Sequence, residues 1–312
     1  VTEERSHRAE PGWMLEQRSL IALKQQTGGI SLLKPRQLRS KLAGSYQSKA
    51  RGRGMEYAET RHYQPGDDIR SIDWRVTART GKAHTKLFHE ERERPVFLLV
   101  DLGASMRFGS QWRFKSVQAA HLAAQLAWCA CDNGDRIGGL IWNQYQHQEL
   151  KPKSRSAAVL HLIHTMVSLH EQTPQHGAEP QDFNHALSRL RYIVRPGSQV
   201  ILISDFQQLN DEGIRHLNLL GRHNDLIAGE IYDPLEIQLP ETEFGNDLMI
   251  TDGNQRAILP LSQRNQRQQC QQRLEQARQS RLDQLQKSGC RLFHIGAHEE
   301  INKQWRRQHH GR

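Results

Sequence analysis

The segment Pro95-Val-Phe-Leu-Leu-Val-Asp-Leu-Gly-Ala-Ser105 constrains the fold of this chain more than any other. An apolar run of strand length ends on an aspartate, and a loop of small residues follows at once. Residues 112–131 then carry the pattern of a helix. In an open α/β sheet, ligands gather outside the carboxyl ends of the strands. Asp-x-Ser-x-Ser spacing at such an end sets one carboxylate and two hydroxyls around a single hard cation. Here Gly103 takes the first serine position, so Asp101 and Ser105 form a loop with the shape of a metal site and one ligand missing.

The β/α rhythm continues downstream. Strands are predicted at 135–142, 199–204, 226–232 and 290–295, and helices at 156–169, 182–192 and 212–222. Residues 145–150 read as a hairpin partner of the second strand, and 244–262 as a hairpin turning at Asp252-Gly253. Residues 263–287 are rich in Gln and Arg, but Leu274, Ala277, Leu282 and Leu285 recur at helical spacing and mark an amphipathic helix. Strands separated by helices imply a doubly wound, mainly parallel α/β sheet. Asp205 follows the apolar strand 199–204, so its carboxylate and that of Asp101 are expected to converge at one sheet edge, beside Ser105 and Gln181.

Three regions precede or form this array: a helical and basic segment (1–43), a polar, turn-rich extension (44–94) and the α/β domain (95–312). The first is predicted partly helical up to a break at Gly28-Gly29. The extension carries a strand through Met55, Tyr57 and Thr60, a sharp turn at Pro65-Gly66, and too few apolar residues to fold alone. It is expected to pack on the α/β domain with Trp74 as its buried anchor.

The net charge of +9 is uneven: residues 1–95 hold 19 Lys/Arg against 12 Asp/Glu, and the remainder 24 against 22. No acid lies between Gly28 and Met55, where the basic residues of segment 34–53 cluster. Such an arm suits nucleic acid or an acidic surface. No recognition motif accompanies it, and a solvated or acid-paired segment is the simpler account. Four cysteines without framework or zinc-ligand spacing read as reduced thiols. With no apolar leader or membrane-length run, the chain is expected to be cytoplasmic, with peripheral membrane association only through partners.

Beyond the strand ends, the sequence Arg51-Gly-Arg-Gly-Met-Glu-Tyr57, Arg61-His-Tyr-Gln-Pro-Gly-Asp-Asp-Ile-Arg70, Ile72-Asp-Trp74 and Thr77-Ala-Arg-Thr-Gly81 resembles the signature of the bacterial domain-of-unknown-function-58 family. That family is similar to von Willebrand factor A domains and accompanies MoxR-type AAA+ ATPases. The resemblance implies an A-type fold and a degenerate metal-ion-dependent adhesion site. Asp101, Ser105 and Asp205 match its metal positions, whereas Gly103 and Gln181 stand where hydroxyls are expected. Weak Mg²⁺ binding or none follows, strengthened by restoring Gly103→Ser and Gln181→Thr. The same residues Asp101, Ser105, Gln181 and Asp205 form the expected partner-binding surface. The alternative for the two aspartates is hydrogen bonding to backbone N–H groups at helix starts.

Other clusters carry less. His161 and His164 lack a third ligand. Asp67, Asp68 and Asp73 fit turn chemistry and pairing with Arg70, Arg75 or Arg79. The chain has no P-loop, nor a general base and nucleophile in clear partnership. The reading is a non-enzymatic protein-interaction module that works with a MoxR-type AAA+ ATPase, and with other A-like proteins, in chaperone-like or complex-assembly work. Nucleic-acid binding through the basic segment is the alternative.

Overall fold

The structure, a computed structural model, describes residues 11–26, 55–90, 95–172, 180–240, 248–251, 256–259 and 263–310. The basic segment 34–53, the Gly28-Gly29 break and the Asp252-Gly253 turn lie outside the described residues. The chain divides into two compact units, residues 37–93 and residues 1–36 with 94–312. Its first helix, α1 (Gln17–Ala22), runs into a 3-10 turn, Leu23–Gln26, and belongs to the large unit.

In the small unit, β1 (Met55–His62) pairs antiparallel with β2 (His84–Glu90), and helix α2 (Trp74–Thr80) lies between them in sequence. The three aspartates build the connection. Asp67 accepts from the Gln64 N–H and pairs with Arg61 at 2.7 Å. Asp68 accepts from the Arg70 N–H, and Asp73 caps α2 by accepting from the Arg75 and Val76 N–H groups. Gly81 ends α2 at φ +69, where a Cβ would be strained. The acids are structural, as turn chemistry predicted, although their side-chain cations are Arg61 and, at 3.8 Å, Lys86. Within the small unit Trp74 is not buried as expected: it is 68% exposed. Helix α2 meets β2 through hydrogen bonds, His84 N–H to Thr77 Oγ1 at 3.1 Å and Asp73 N–H to the His84 carbonyl, so this unit itself offers the indole no apolar seat.

The large unit is mixed α/β. After α1 its elements are β3 (Pro95–Asp101), α3 (Lys115–Asp132), β4 (Arg136–Trp142), β5 (His147–Lys153), α4 (Ser156–Glu171) and α5 (Phe183–Ile193). Then come β6 (Gln199–Ser204), α6 (Asp211–Gly221), β7 (Asp225–Tyr232), α7 (Pro234–Ile237) and the hairpin β8 (Leu248–Thr251)–β9 (Arg256–Leu259). Helix α8 (Arg264–Lys287), β10 (Arg291–Gly296) and α9 (Ile301–His310) complete it. The main sheet has the order β10-β7-β6-β3-β4-β5, parallel throughout except for β5. The order in which strands are added reverses at β3, which pairs with β4 on one side and with the later β6 on the other.

The buried strands read as continuous apolar runs because helices cover both faces. One layer joins α3 and α4 with Leu15, Leu20 and Leu23 of the N-terminal segment and Trp305 of α9. The other joins Phe183, Leu187 and Leu190 of α5 with Leu217, Leu220 and Leu285. Helix α3 is buried all round from Lys115 to Ala130, as a helix enclosed on every side must be. It starts at Lys115, three residues later than the pattern suggested, because Trp112 and Arg113 remain in a loop. That loop is tied down by Arg113 N–H to the Ala297 carbonyl and by Lys115 N–H to the Phe108 carbonyl. Among the described residues, no helix is long and apolar enough to cross a membrane.

Candidate functional site

In a doubly wound sheet the ligand crevice lies where the strand order reverses, which here is between β3 and β6. Both strands end there on acids. Asp101 closes β3 and Asp205 follows Ser204 at the end of β6, each less than 5% exposed. Asp101 Oδ1 accepts from the Gly103 N–H at 2.8 Å, and Oδ2 from the Ser204 hydroxyl at 2.5 Å. Ser204 Oγ in turn accepts from the Phe206 N–H. Asp205 Oδ1 accepts from the Gln207 N–H, and its other oxygen faces a cation the sequence reading missed: Lys115 Nζ, at 2.7 Å.

Lys115 is the first residue of α3, and its side chain is wholly buried. Its ammonium also contacts Glu236 Oε1 at 2.5 Å and lies 6.0 Å from the centre of the Phe108 ring. Glu236 sits in a capping box. Its Oε2 accepts from the Asp233 N–H, while Asp233 accepts from the Leu235 N–H and from the backbone and hydroxyl of Ser110. Gln207 Nε2 completes Glu236 Oε1 at 2.9 Å. Burial by itself would drive the Lys115 pKa down, but Asp205 and Glu236 outweigh it and hold the ammonium above the ordinary lysine value. Burial, then the charge of Asp205, push the Asp101 carboxyl up to about 7. Burial likewise raises Glu236, with Lys115 opposing.

The remaining expected site residues lie on adjacent loops. Ser105 is half-buried in the 3-10 turn Ala104–Met106, and its hydroxyl has no hydrogen-bond partner among the described residues. Gln181 donates its N–H to the Gln144 carbonyl at 2.5 Å, and its own amide oxygen is buried without a partner. Gln144 Oε1 accepts from the Ala104 N–H at 3.1 Å, which links the loops after β3 and β4. Two residues here, Gln144 (φ 76) and Phe206 (φ 55), take left-handed backbone, a conformation costly for side chains of this size. Clefts of the large unit open elsewhere, around Arg267 and Gln271 and around Phe97 and Pro152. Asp101, Ser105, Gln181 and Asp205 line neither.

This donor set does not fit a divalent cation. Both Asp101 oxygens already accept hydrogen bonds, and an ammonium already neutralises Asp205. Nor is Gly103 simply a lost serine: a Cβ there would lie 2.6 Å from the Trp142 ring and 3.0 Å from Asp101 Oδ1. Among the described residues no group of three or more His, Cys, Asp or Glu is placed to hold a metal, and His161 and His164 are exposed on α4.

Lys115 did leave a signal in the sequence. It is the one Lys, Arg, Asp or Glu in α3 before Asp132, at the positive end of the helix dipole, where a cation is disfavoured unless acids meet it. Glu236 was readable only as a capping-box residue in Asp233-Pro-Leu-Glu236, because its pairing with α3 spans 121 residues of chain.

Residues 59–281 match the family described as Protein of unknown function DUF58. The chain belongs to the DUF58 family. This DUF58 protein is 30% identical to the uncharacterized protein Rv1480 of Mycobacterium tuberculosis over 223 residues, 71% of this chain and 68% of the relative. Among solved structures it is similar to the VWA domain of SpRpn10, at 10% identity and TM-score 0.37, covering 70% of this chain and 95% of that one. It is also similar to the conserved hypothetical protein BatB of Bacteroides thetaiotaomicron, at 13% identity and TM-score 0.37, covering 63% and 98%.

Proposed function

We propose that this DUF58 protein is a non-enzymatic interaction module, that its docking face is the set of loops above β3, β4 and β6, and that its partner is a MoxR-type AAA+ ATPase in chaperone-like or complex-assembly work. The observation that carries the reading is the hydrogen bonding that ties those loops together at the switch point of the sheet. Hydrogen bonds among Asp101, Gly103, Ser204 and Phe206, and between Gln144, Ala104 and Gln181, hold their backbone. Recognition residues concentrate on loops that a rigid scaffold presents. Asp101, the acid whose carboxyl is pushed up to about 7, is only 3% exposed, so a substrate proton has no open approach to it. The naming of the partner class rests on the family signature in 51–81.

The test is direct binding of the full chain to a MoxR-type ATPase from the same genome, with and without nucleotide. Ser105→Arg and the exposed Gln208→Arg are expected to weaken binding at least tenfold without lowering the melting temperature. Unchanged affinity in both variants would remove the docking face from the proposal. A steeply salt-dependent affinity for DNA or RNA instead would favour the basic segment as the working part.

A further inference from the structure

We propose that Lys115 is the resident cation of the switch-point site: its ammonium stands where the fold would otherwise take a divalent metal, and the loops are set without one. The inference concerns the chemistry of the site and stands whether or not the face binds an ATPase.

Three independent observations point the same way. Lys115 Nζ lies 2.7 Å from Asp205 and 2.5 Å from Glu236, on a side chain with no exposure. A buried ammonium is stable only with such partners, and it occupies the point at which both carboxylates converge. Second, Asp101 is turned inward, each of its oxygens already serving a donor, the Gly103 N–H and the Ser204 hydroxyl. Third, the space that a ligand side chain at position 103 would need is filled by the Trp142 ring. Glu236 comes from α7, after β7, and not from the loops that hold Asp101 and Ser105. Its carboxylate balances a lysine delivered by the N-terminus of α3, and the Asp233–Ser110 hydrogen bonds fix α7 against the loop leading into α3. A lysine at that position with a dedicated acid is a built arrangement, because the helix dipole alone works against it.

The arrangement makes opposite forecasts for the parent and for a chain lacking the ammonium. In the parent chain, titration with Mg²⁺, Mn²⁺ and Ca²⁺ should give no saturable binding in the millimolar range. Its melting temperature should be the same in chelator and in added metal. Lys115→Ala leaves two carboxylates facing one vacated point. It should melt on the order of 10 °C lower in chelator, bind Mn²⁺ or Ca²⁺ saturably and recover part of the loss. Saturable metal binding by the parent, abolished by Asp205→Asn, would overturn the proposal. So would a folded Lys115→Ala that melts like the parent or ignores all three cations. If Lys115→Ala does not fold, Lys115→Met should be compared with Lys115→Met/Asp205→Asn/Glu236→Gln. Neutralising the two acids should restore a folded chain that melts at least several degrees above Lys115→Met, and no recovery would count against the ammonium as their counter-charge.

Discussion

Single residues decide this site, and several behave differently from their sequence-level reading. Gly103 was legible as a departure from Asp-x-Ser-x-Ser, but the reason for it was not, since Trp142 sits 39 positions away on the neighbouring strand. Gly103→Ser should therefore destabilise the fold instead of restoring a ligand. The expected cost is about 1–3 kcal/mol in urea unfolding, partly recovered when Trp142→Leu opens space; an increase in stability would contradict the packing. Asp205 is not a dispensable loop acid, because it balances a buried lysine. Asp205→Ala is expected to cost about 3–5 kcal/mol, so loss of partner binding in that variant would report unfolding as much as docking. Trp74→Ala, in contrast, should change stability by no more than about 0.5 kcal/mol, as exposed substitutions do. A loss near 3 kcal/mol would mean that the indole is covered.

At the scale of elements, the strands 199–204 and 95–101 and most helices of the large unit were readable, because apolar runs and 3.6-residue periodicity are local signals. Helix α3 shows where locality ends. Its length was plain, but its enclosure, with Ser116, Gln118, His121 and Gln125 all buried, depends on α1, α4 and α9, which come from distant parts of the chain. That enclosure has a pH signature. Burial, then Arg113, hold the His121 pKa down at about 3, and burial, then Arg107, hold that of His170 at about 4. Both histidines stay neutral in the fold while the unfolded chain takes up protons below about 6.5. Their contribution is therefore complete above pH 6.5 and is lost as pH falls toward 4 and 3. Asp101, with its raised pKa, acts in the opposite sense, so the total profile mixes the two. A comparison of variants isolates the histidine: the cost of His170→Gln in urea should shrink by about 1–2 kcal/mol between pH 7 and pH 5. An equal cost at both would show that the fold leaves the His170 pKa where it is in the unfolded chain.

At the scale of the whole molecule, the doubly wound sheet and the emergence of Asp101 and Asp205 at one edge followed from the β/α alternation and their placement at strand ends, whereas the pairing of β3 with β6 is visible only in the fold. Nor did the division of the chain follow from them. Residues 11–26 supply Leu15, Leu20 and Leu23 to the main core, and the Leu20 carbonyl accepts from the Trp128 indole at 3.2 Å, a long-range packing that periodicity does not reveal. The sheet order also bears on how such a chain is made. Strand β3 occupies the centre of the sheet, yet one of its two edges pairs with β6, whose residues are synthesised about a hundred positions later. A nascent chain that has emerged only as far as β5 therefore carries an apolar strand with one edge bare. Such an edge invites pairing with another chain, so slowed translation between β5 and β6 should raise the burden on ribosome-associated chaperones, and a pause after β6 should not.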